Sequence, residues 1–213
     1  MIQLDRARGP ASGRLTVGSP AQLEDLRQEF AERNCVVLPG LVAPGVLEWV
    51  QDELERATFD ARDYDGLAGE LTLDEGTPLV ARLLFLLNDP VLHHAIGEIS
   101  ETGPIVRFDA RIYRRLPVAE HYDNWHDDLQ GARRVATMSV NLGSEPYRGG
   151  ELLLRRKGST ELLATMHNTR PGDALLFRID PALEHRVTSV SDGVKTALAG
   201  WFGSAPPWPL PVD

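Results

Sequence analysis

The 213-residue chain has one cysteine, no long apolar run and no excess of positive charge. A lone thiol, Cys35, excludes a disulfide within the chain and fits a reducing compartment. Its neighbours Val36, Val37 and Leu38 read as a buried strand, so the thiol is expected as a small core hydrophobe. No apolar stretch approaches the length needed to span a bilayer. Met1-Ile2-Gln3-Leu4-Asp5-Arg6 lacks the basic-then-apolar order of a signal peptide. Lys and Arg number 22 against 31 Asp and Glu, a formal net charge of -9, which argues against nucleic acid or an anionic membrane as partner. There is no block of like charge, no internal repeat and no low-complexity segment. The expectation is a cytoplasmic protein, monomeric or homodimeric.

What is present falls into two textures. Residues up to about 19 read as a loose or edge-strand start. Ser19-Pro20 then opens a helix, with Ser as cap and Pro in the first turn, and places Leu23, Leu26 and Phe30 on one face. Ala43-Pro44 begins a second, with Val46, Leu47, Val50 and Leu54 at helical spacing. Thr77-Pro78 starts a third, interrupted at Asn88-Asp89-Pro90, where Asp89 can cap a fourth running to Ile99. Residues 58–76 are acidic, contain three glycines and show little period, which reads as a long loop over a pocket. From Pro104 the texture changes to short runs of Val, Ile, Leu, Phe and Tyr between Gly and Pro. That spacing predicts strands near 104–114, 133–142, 150–155, 160–167, 173–178, 183–190 and 194–202. The fold class expected is mainly β with N-terminal helices, a jelly roll or small barrel. We read 1–213 as a single domain: 1–103 mainly helical support, 104–202 the jelly-roll catalytic core, and 203–213 a Pro-rich tail.

Side chains two apart on a strand share a face. His126 and Asp128 are therefore placed to bind one metal if their segment is extended, and a distant His185 completes two histidines and a carboxylate. Such a set holds iron(II) by one face and leaves other positions open. On the last strand Lys195, Ala197, Ala199 and Trp201 share a face, and the two alanines leave room beside a Lys that needs an anionic partner. Ala136, Met138, Val140 and Leu142 form one face of an earlier strand, and Thr137, Ser139 and Asn141 the other. A second His-x-Asp, His121-Tyr122-Asp123, competes with the first. The eight positions from His126 to Arg134, and the Trp125 before it, favour His126 and Asp128. His121 is then a contact at the pocket mouth or a loop histidine.

The ordered set over residues 104–202 resembles the Fe(II)/2-oxoglutarate-dependent dioxygenase superfamily in its prolyl-4-hydroxylase-like branch. It comprises Tyr113, His126 to Asp128, Arg134, Gly149-Gly150-Glu151-Leu152, Pro171 to Phe177, His185-Arg186-Val187, Lys195 and Trp201. The resemblance implies the double-stranded β-helix, cupin-like form of the jelly roll. It implies iron(II) on His126, Asp128 and His185, with 2-oxoglutarate as cosubstrate and O2 as oxidant. It places the cosubstrate's distal carboxylate on Lys195, with Tyr113 and Asn141 as further contacts, and leaves His121, Trp125, Arg111 and Trp201 as substrate or pocket candidates. It implies hydroxylation of an amino-acid-like, peptidyl or small-metabolite substrate, with release of succinate and CO2. Halogenating relatives lack the carboxylate, so Asp128 points to hydroxylation. A cupin-like metalloenzyme without 2-oxoglutarate, and a non-catalytic jelly-roll module, are the alternatives.

Overall fold

The structure, a computed structural model, describes residues 2–6, 13–129 and 133–204. Most of the Pro-rich tail lies outside the described residues. The chain begins with β1 (Gln3–Arg6) and β2 (Gly13–Thr16), an antiparallel pair. Next come α1 (Pro20–Arg33), β3 (Cys35–Leu38) and α2 (Pro44–Glu55). After them lie β4 (Phe59–Asp63), β5 (Gly69–Leu73), α3 (Pro78–Leu87) and α4 (Pro90–Ser100). The second half is β6 (Arg107–Arg115), β7 (Arg134–Asn141), β8 (Arg148–Gly149), β9 (Leu152–Arg156) and β10 (Leu162–Met166). It closes with β11 (Ala174–Arg178), β12 (Leu183–Val187), β13 (Val190–Asp192) and β14 (Lys195–Gly203).

The helix signals work as capping chemistry demands. Ser19 accepts from the Gln22 amide while the Gln22 side chain accepts from the Ser19 amide, a reciprocal box. Thr77 and Asp89 cap α3 and α4, each followed by Pro where a missing N–H costs nothing. No single helix among the described residues is long and apolar enough to cross a membrane.

Seven strands form the major sheet in the order β3-β11-β7-β14-β6-β5-β4, and β10-β9-β12 and the pair β13-β8 form the minor side. This is the expected double-stranded β-helix. Strand alternation splits the major sheet cleanly. Phe108, Ala110, Ile112, Ala136, Met138, Val140, Leu198 and Phe202 face the helices, in one core with Phe30, Val50, Leu54, Leu83 and Ile96. The other face carries Arg111, Tyr113, Arg115, Thr137, Ser139 and Trp201 into the space between the sheets. A smaller core of Leu152, Leu154, Met166, Leu175, Phe177 and Leu183 closes part of that space. Cys35 lies in it fully buried, and burial pushes its thiol up to about 11, as suits an inert core residue.

Residues 58–76 are a correction. They form the hairpin β4–β5, which extends the major sheet beside β6. Asp65 and Gly66, both with positive φ (51° and 76°), make its turn. Asp-Gly with two left-handed positions is a strong hairpin signal, and Phe59, Ala61, Leu71 and Leu73 alternate around it. The acidic residues hid that alternation. The stretch read as one strand, 183–190, breaks into β12 and the start of β13.

Gly149 (φ 74°) sits where a Cβ would overlap the Ser189 carbonyl oxygen, at the pairing of β8 with β13. Gly158 has the same backbone (φ 76°) with open space around it. Gly158→Ala should therefore cost only the left-handed strain, about 1 kcal/mol. Gly149→Ala should cost about 2 kcal/mol or more, because β8 must also move. Urea unfolding of the two variants measures the difference.

Candidate functional site

The site begins with two backbone hydrogen bonds. The chain leaving β6 crosses to the minor sheet, where the His126 amide donates to His185 O at 3.0 Å and the His185 amide donates to His126 O at 2.8 Å. Antiparallel residues that exchange both bonds send their side chains to the same side, and the two rings stand 4.3 Å apart. Asp128 arrives differently from the expectation. The segment does not continue as a strand; Asp128 takes a left-handed backbone (φ 58°), which Asp tolerates better than most residues. The turn brings Oδ1 to 3.5 Å from His126 Nε2 and Oδ2 to 3.4 Å from His185 Nε2.

Each member of this group is held from behind. Trp201 Nε1–H donates to Asp128 Oδ2 at 2.7 Å, and the Thr137 hydroxyl donates to the same oxygen at 3.5 Å. His126 Nδ1 lies 2.8 Å from Asn124 O. A carbonyl only accepts, so Nδ1 carries a proton there, and Nε2 is the ring atom turned to Asp128. The Phe177 ring meets His185 edge to face at 4.7 Å. Burial of the Asp128 carboxyl works to raise its pKa. The hydrogen bond and charge of His185, the charge of His126 and the Trp201 N–H outweigh it and hold the group well below the usual carboxylate range. One ligand atom from each of His126, Asp128 and His185 lies within 4.8 Å of the others. Ligands about 2.1 Å from a metal stand about 3 Å apart at adjacent octahedral positions. The nitrogen and oxygen donors therefore fit one ion with small shifts, and their chemistry is that of a non-haem iron(II) face.

A cavity of about 580 Å³ opens beside this group, between the two sheets. Arg111, Tyr113, Trp125 and Trp201 all line it, as does Arg115, from the segment 114–123 that the sequence offered as cover for the pocket. The Trp125 ring lies under the Arg155 guanidinium at 3.8 Å. A buried charge cluster adjoins the group through Asp123, whose Oδ1 lies 3.9 Å from His126 Nδ1. Glu70 accepts from Arg111 Nε at 2.7 Å and from Arg115 Nη2 at 3.1 Å, and Asp123 Oδ1 stands 3.5 Å from Arg115. The Arg115 side chain is only 4% exposed, and its Nε and Nη1 have no hydrogen-bond partner among the described residues. Lys195 pairs with Arg115 across β14 and β6, donates to Gly150 O and is pushed down to about 7, by burial first and then by Arg115.

Three candidates fall outside the cavity lining. Lys195 sits behind Arg115. Asn141 uses both ends of its amide structurally, donating to Thr169 O at 2.7 Å and accepting from the Gly143 amide at 2.9 Å. His121 is buried, and its Nδ1 accepts from the Leu116 amide at 2.7 Å, which makes it a loop brace rather than a mouth contact. Its partner in the rival motif, Asp123, accepts from the Val187 amide at 2.6 Å. Arg115 and Glu70 were hard to find in the sequence because their meaning depends on β5 lying beside β6, and β5 had been read as loop.

Residues 108–203 match the family model described as the 2OG-Fe(II) oxygenase superfamily. Solved structures share the fold. A 2OG-Fe(II) oxygenase family oxidoreductase from Burkholderia pseudomallei is 18% identical, with 88% of this chain and 93% of that chain covered and a TM-score of 0.65. A prolyl-4-hydroxylase from Pseudomonas putida is 15% identical, with 85% and 98% covered and a TM-score of 0.64. A prolyl hydroxylase from Trichoplax adhaerens, in complex with a hypoxia inducible factor oxygen degradation domain peptide fragment, is 14% identical, with 88% and 94% covered and a TM-score of 0.61. A comparison with curated protein sequences finds no match.

Trp201→Phe keeps the ring and deletes the bond to Asp128. Partners of this kind orient a ligating carboxylate, and their loss weakens metal affinity by about 10- to 100-fold. Anaerobic metal titration of the folded variant should show a loss in that range, and unchanged affinity would mean that Trp201 is only packing.

Proposed function

Residues 108–203 belong to the 2OG-Fe(II) oxygenase superfamily, and from that premise we propose that the chain is an iron(II)- and 2-oxoglutarate-dependent hydroxylase of an amino-acid-like, peptidyl or small-metabolite substrate. The observation that supports the cosubstrate is the orphaned guanidinium of Arg115. Arg111, Arg115 and Lys195 meet the buried carboxylates Glu70 and Asp123, with Glu151 also acting on Lys195, yet two donors of Arg115 stay unused among the described residues. Buried donors without a partner are costly. One further carboxylate beside Arg115 would accept from one of its unused donors and favour the charged forms of Arg115 and Lys195. The distal carboxylate of 2-oxoglutarate is such a group. A cupin-like enzyme working without it would leave Arg115 and Lys195 unanswered.

In this reading His126, Asp128 and His185 would hold the iron, while Arg115, with Lys195 behind it and Tyr113 beside it, would hold the far end of the cosubstrate. Iron(II) and 2-oxoglutarate, when bound, would activate O2, the oxidant: one oxygen atom would enter the substrate C–H bond and the other would go into succinate, with release of CO2. Asn124 O keeps His126 in the tautomer that presents Nε2. Trp201 and Thr137 keep the Asp128 carboxylate turned to the histidines. The carboxylate of Asp128 occupies a position that a halide would otherwise take, so hydroxylation is favoured over halogenation.

Anaerobic titration with iron(II) and then 2-oxoglutarate, followed by the visible charge-transfer band of the chelate, tests this. The band should appear in the unmodified protein, persist in His121→Ala and vanish in His126→Ala. Arg115→Gln should weaken 2-oxoglutarate by about tenfold or more but leave pyruvate, a 2-oxoacid with no distal carboxylate, unchanged. Iron binding without any band would overturn the reading.

The pH dependence has a definite sign. Lys195 sits at about 7 in the ligand-free protein, and an adjacent carboxylate favours its charged form. Binding above pH 7 must therefore take up a proton. The affinity for 2-oxoglutarate should fall as pH rises from about 7 to 9, by up to about tenfold per unit, and the fall should disappear in Lys195→Met.

A further inference from the structure

We propose a second anion site at the metal end of the cavity, formed by Arg134 and Arg111 around Trp201, which takes a carboxylate of the substrate. It rests on the triad of His126, Asp128 and His185 holding a metal, and it goes beyond that reading by giving the substrate a chemical class.

The strand order creates the site. β14 lies between β7 and β6, so Arg134 at the start of β7 and Arg111 in β6 approach Trp201 of β14 from opposite neighbours. Their guanidinium carbons stand 3.8 and 5.3 Å from the indole centroid, and both line the cavity beside His126 and Asp128. Neither has its hydrogen-bonding capacity filled. Arg111 donates through Nε to Glu70, and no hydrogen bond among the described residues uses its two terminal nitrogens. Arg134 donates to the Asp128 backbone oxygen at 3.3 Å, and the carboxylate it reaches is that of Asp128, at 4.0 Å. A metal would draw on that same carboxylate and add positive charge of its own. Once a metal is seated, Arg134 lacks a dedicated anion.

The cosubstrate's distal carboxylate cannot serve both ends. Trp201 and Lys195 are six residues apart on β14, about 20 Å along an extended strand, and the orphaned donors of Arg115 lie at the Lys195 end. Thr137 beside Trp201 is already turned to Asp128, and the β4–β5 hairpin adds apolar lining through Tyr64, whose ring lies 5.1 Å from the Arg111 guanidinium, and Leu67. A carboxylate on the two arginines with its carbon skeleton against Trp201, Tyr64 and Leu67 matches that surface. A planar guanidinium grips a carboxylate with two parallel bonds. The substrate is therefore a carboxylate-bearing molecule, either a free organic acid or an acidic residue in a peptide.

The test uses the zinc-loaded protein, which is redox-inert, saturated with 2-oxoglutarate so that the Arg115 end is filled. Acetate is then titrated while the Trp201 indole N–H and the arginine Nε–H signals are followed by NMR. Saturable shifts at Trp201, Arg111 and Arg134 are expected, with none from acetamide. Arg134→Gln should weaken acetate by about tenfold or more, and Arg134→Lys, which keeps charge without the fork, should fall between. A capped peptide bearing one aspartate, titrated beside butyrate, separates the two sources, and saturation by either one supports the site. If 2-oxoglutarate binds but acetate does not, or if acetate is unaffected by Arg134→Gln, the second anion site is overturned alone. If 2-oxoglutarate fails to bind the metal-loaded protein, the oxygenase reading fails and takes this inference with it.

Discussion

The two backbone hydrogen bonds between His126 and His185 are the constraint on which the rest of the site depends. They fasten the crossing that follows β6 to β12 in the minor sheet, and they turn two distant histidines into neighbours on one side. No side-chain chemistry is needed for that step, only the geometry of an antiparallel pair. Everything else adjusts around it. The left-handed turn at Asp128 swings a carboxylate between the rings, Asn124 sets the tautomer of one imidazole, and Trp201 reaches across from the major sheet to hold the carboxylate. The donors are preorganised, so a metal entering here would not have to order the chain as well.

A barrel interior that holds ions must balance them, because charge removed from water is expensive unless paired. This cavity achieves most of that balance with its own residues. Lys157 pairs with Asp127, Arg155 with Glu184, and Arg111 and Arg115 share Glu70. What is left over is informative. Arg115 keeps two unused donors beside Lys195, and Arg134 would have no carboxylate of its own once a metal drew on Asp128. These are the two places where we propose that anionic groups enter. The hairpin β4–β5 links them, since it contributes Glu70 to the first and Tyr64 and Leu67 to the lining near the second.

Much of the fold was legible because its signals are local. Caps at Ser19, Thr77 and Asp89, Pro in each first turn, and the alternation Ala136, Met138, Val140 on β7 are properties of a few consecutive residues. They need no knowledge of what packs on them. The hairpin at 58–76 was also written locally, in Asp65-Gly66, but its charged strands masked the period. The arrival of Asp128 was anticipated for the wrong reason, since a backbone in the left-handed region cannot be read from residue type alone when Asp also suits turns, caps and extended loops.

The sequence by itself determined the helices, the order of short strands and the candidate ligand residues in their order along the chain, which follow from periodicity and motif over short distances. The double-stranded β-helix was implied by the family resemblance that those motifs carry together. Only the tertiary structure decided which His-x-Asp meets His185, that Asn141 and His121 brace loops, and that Arg115 and Arg134 face the cavity with donors to spare. Those outcomes depend on which strands lie side by side, and strand adjacency is set by hydrogen bonding and burial between segments far apart in the chain.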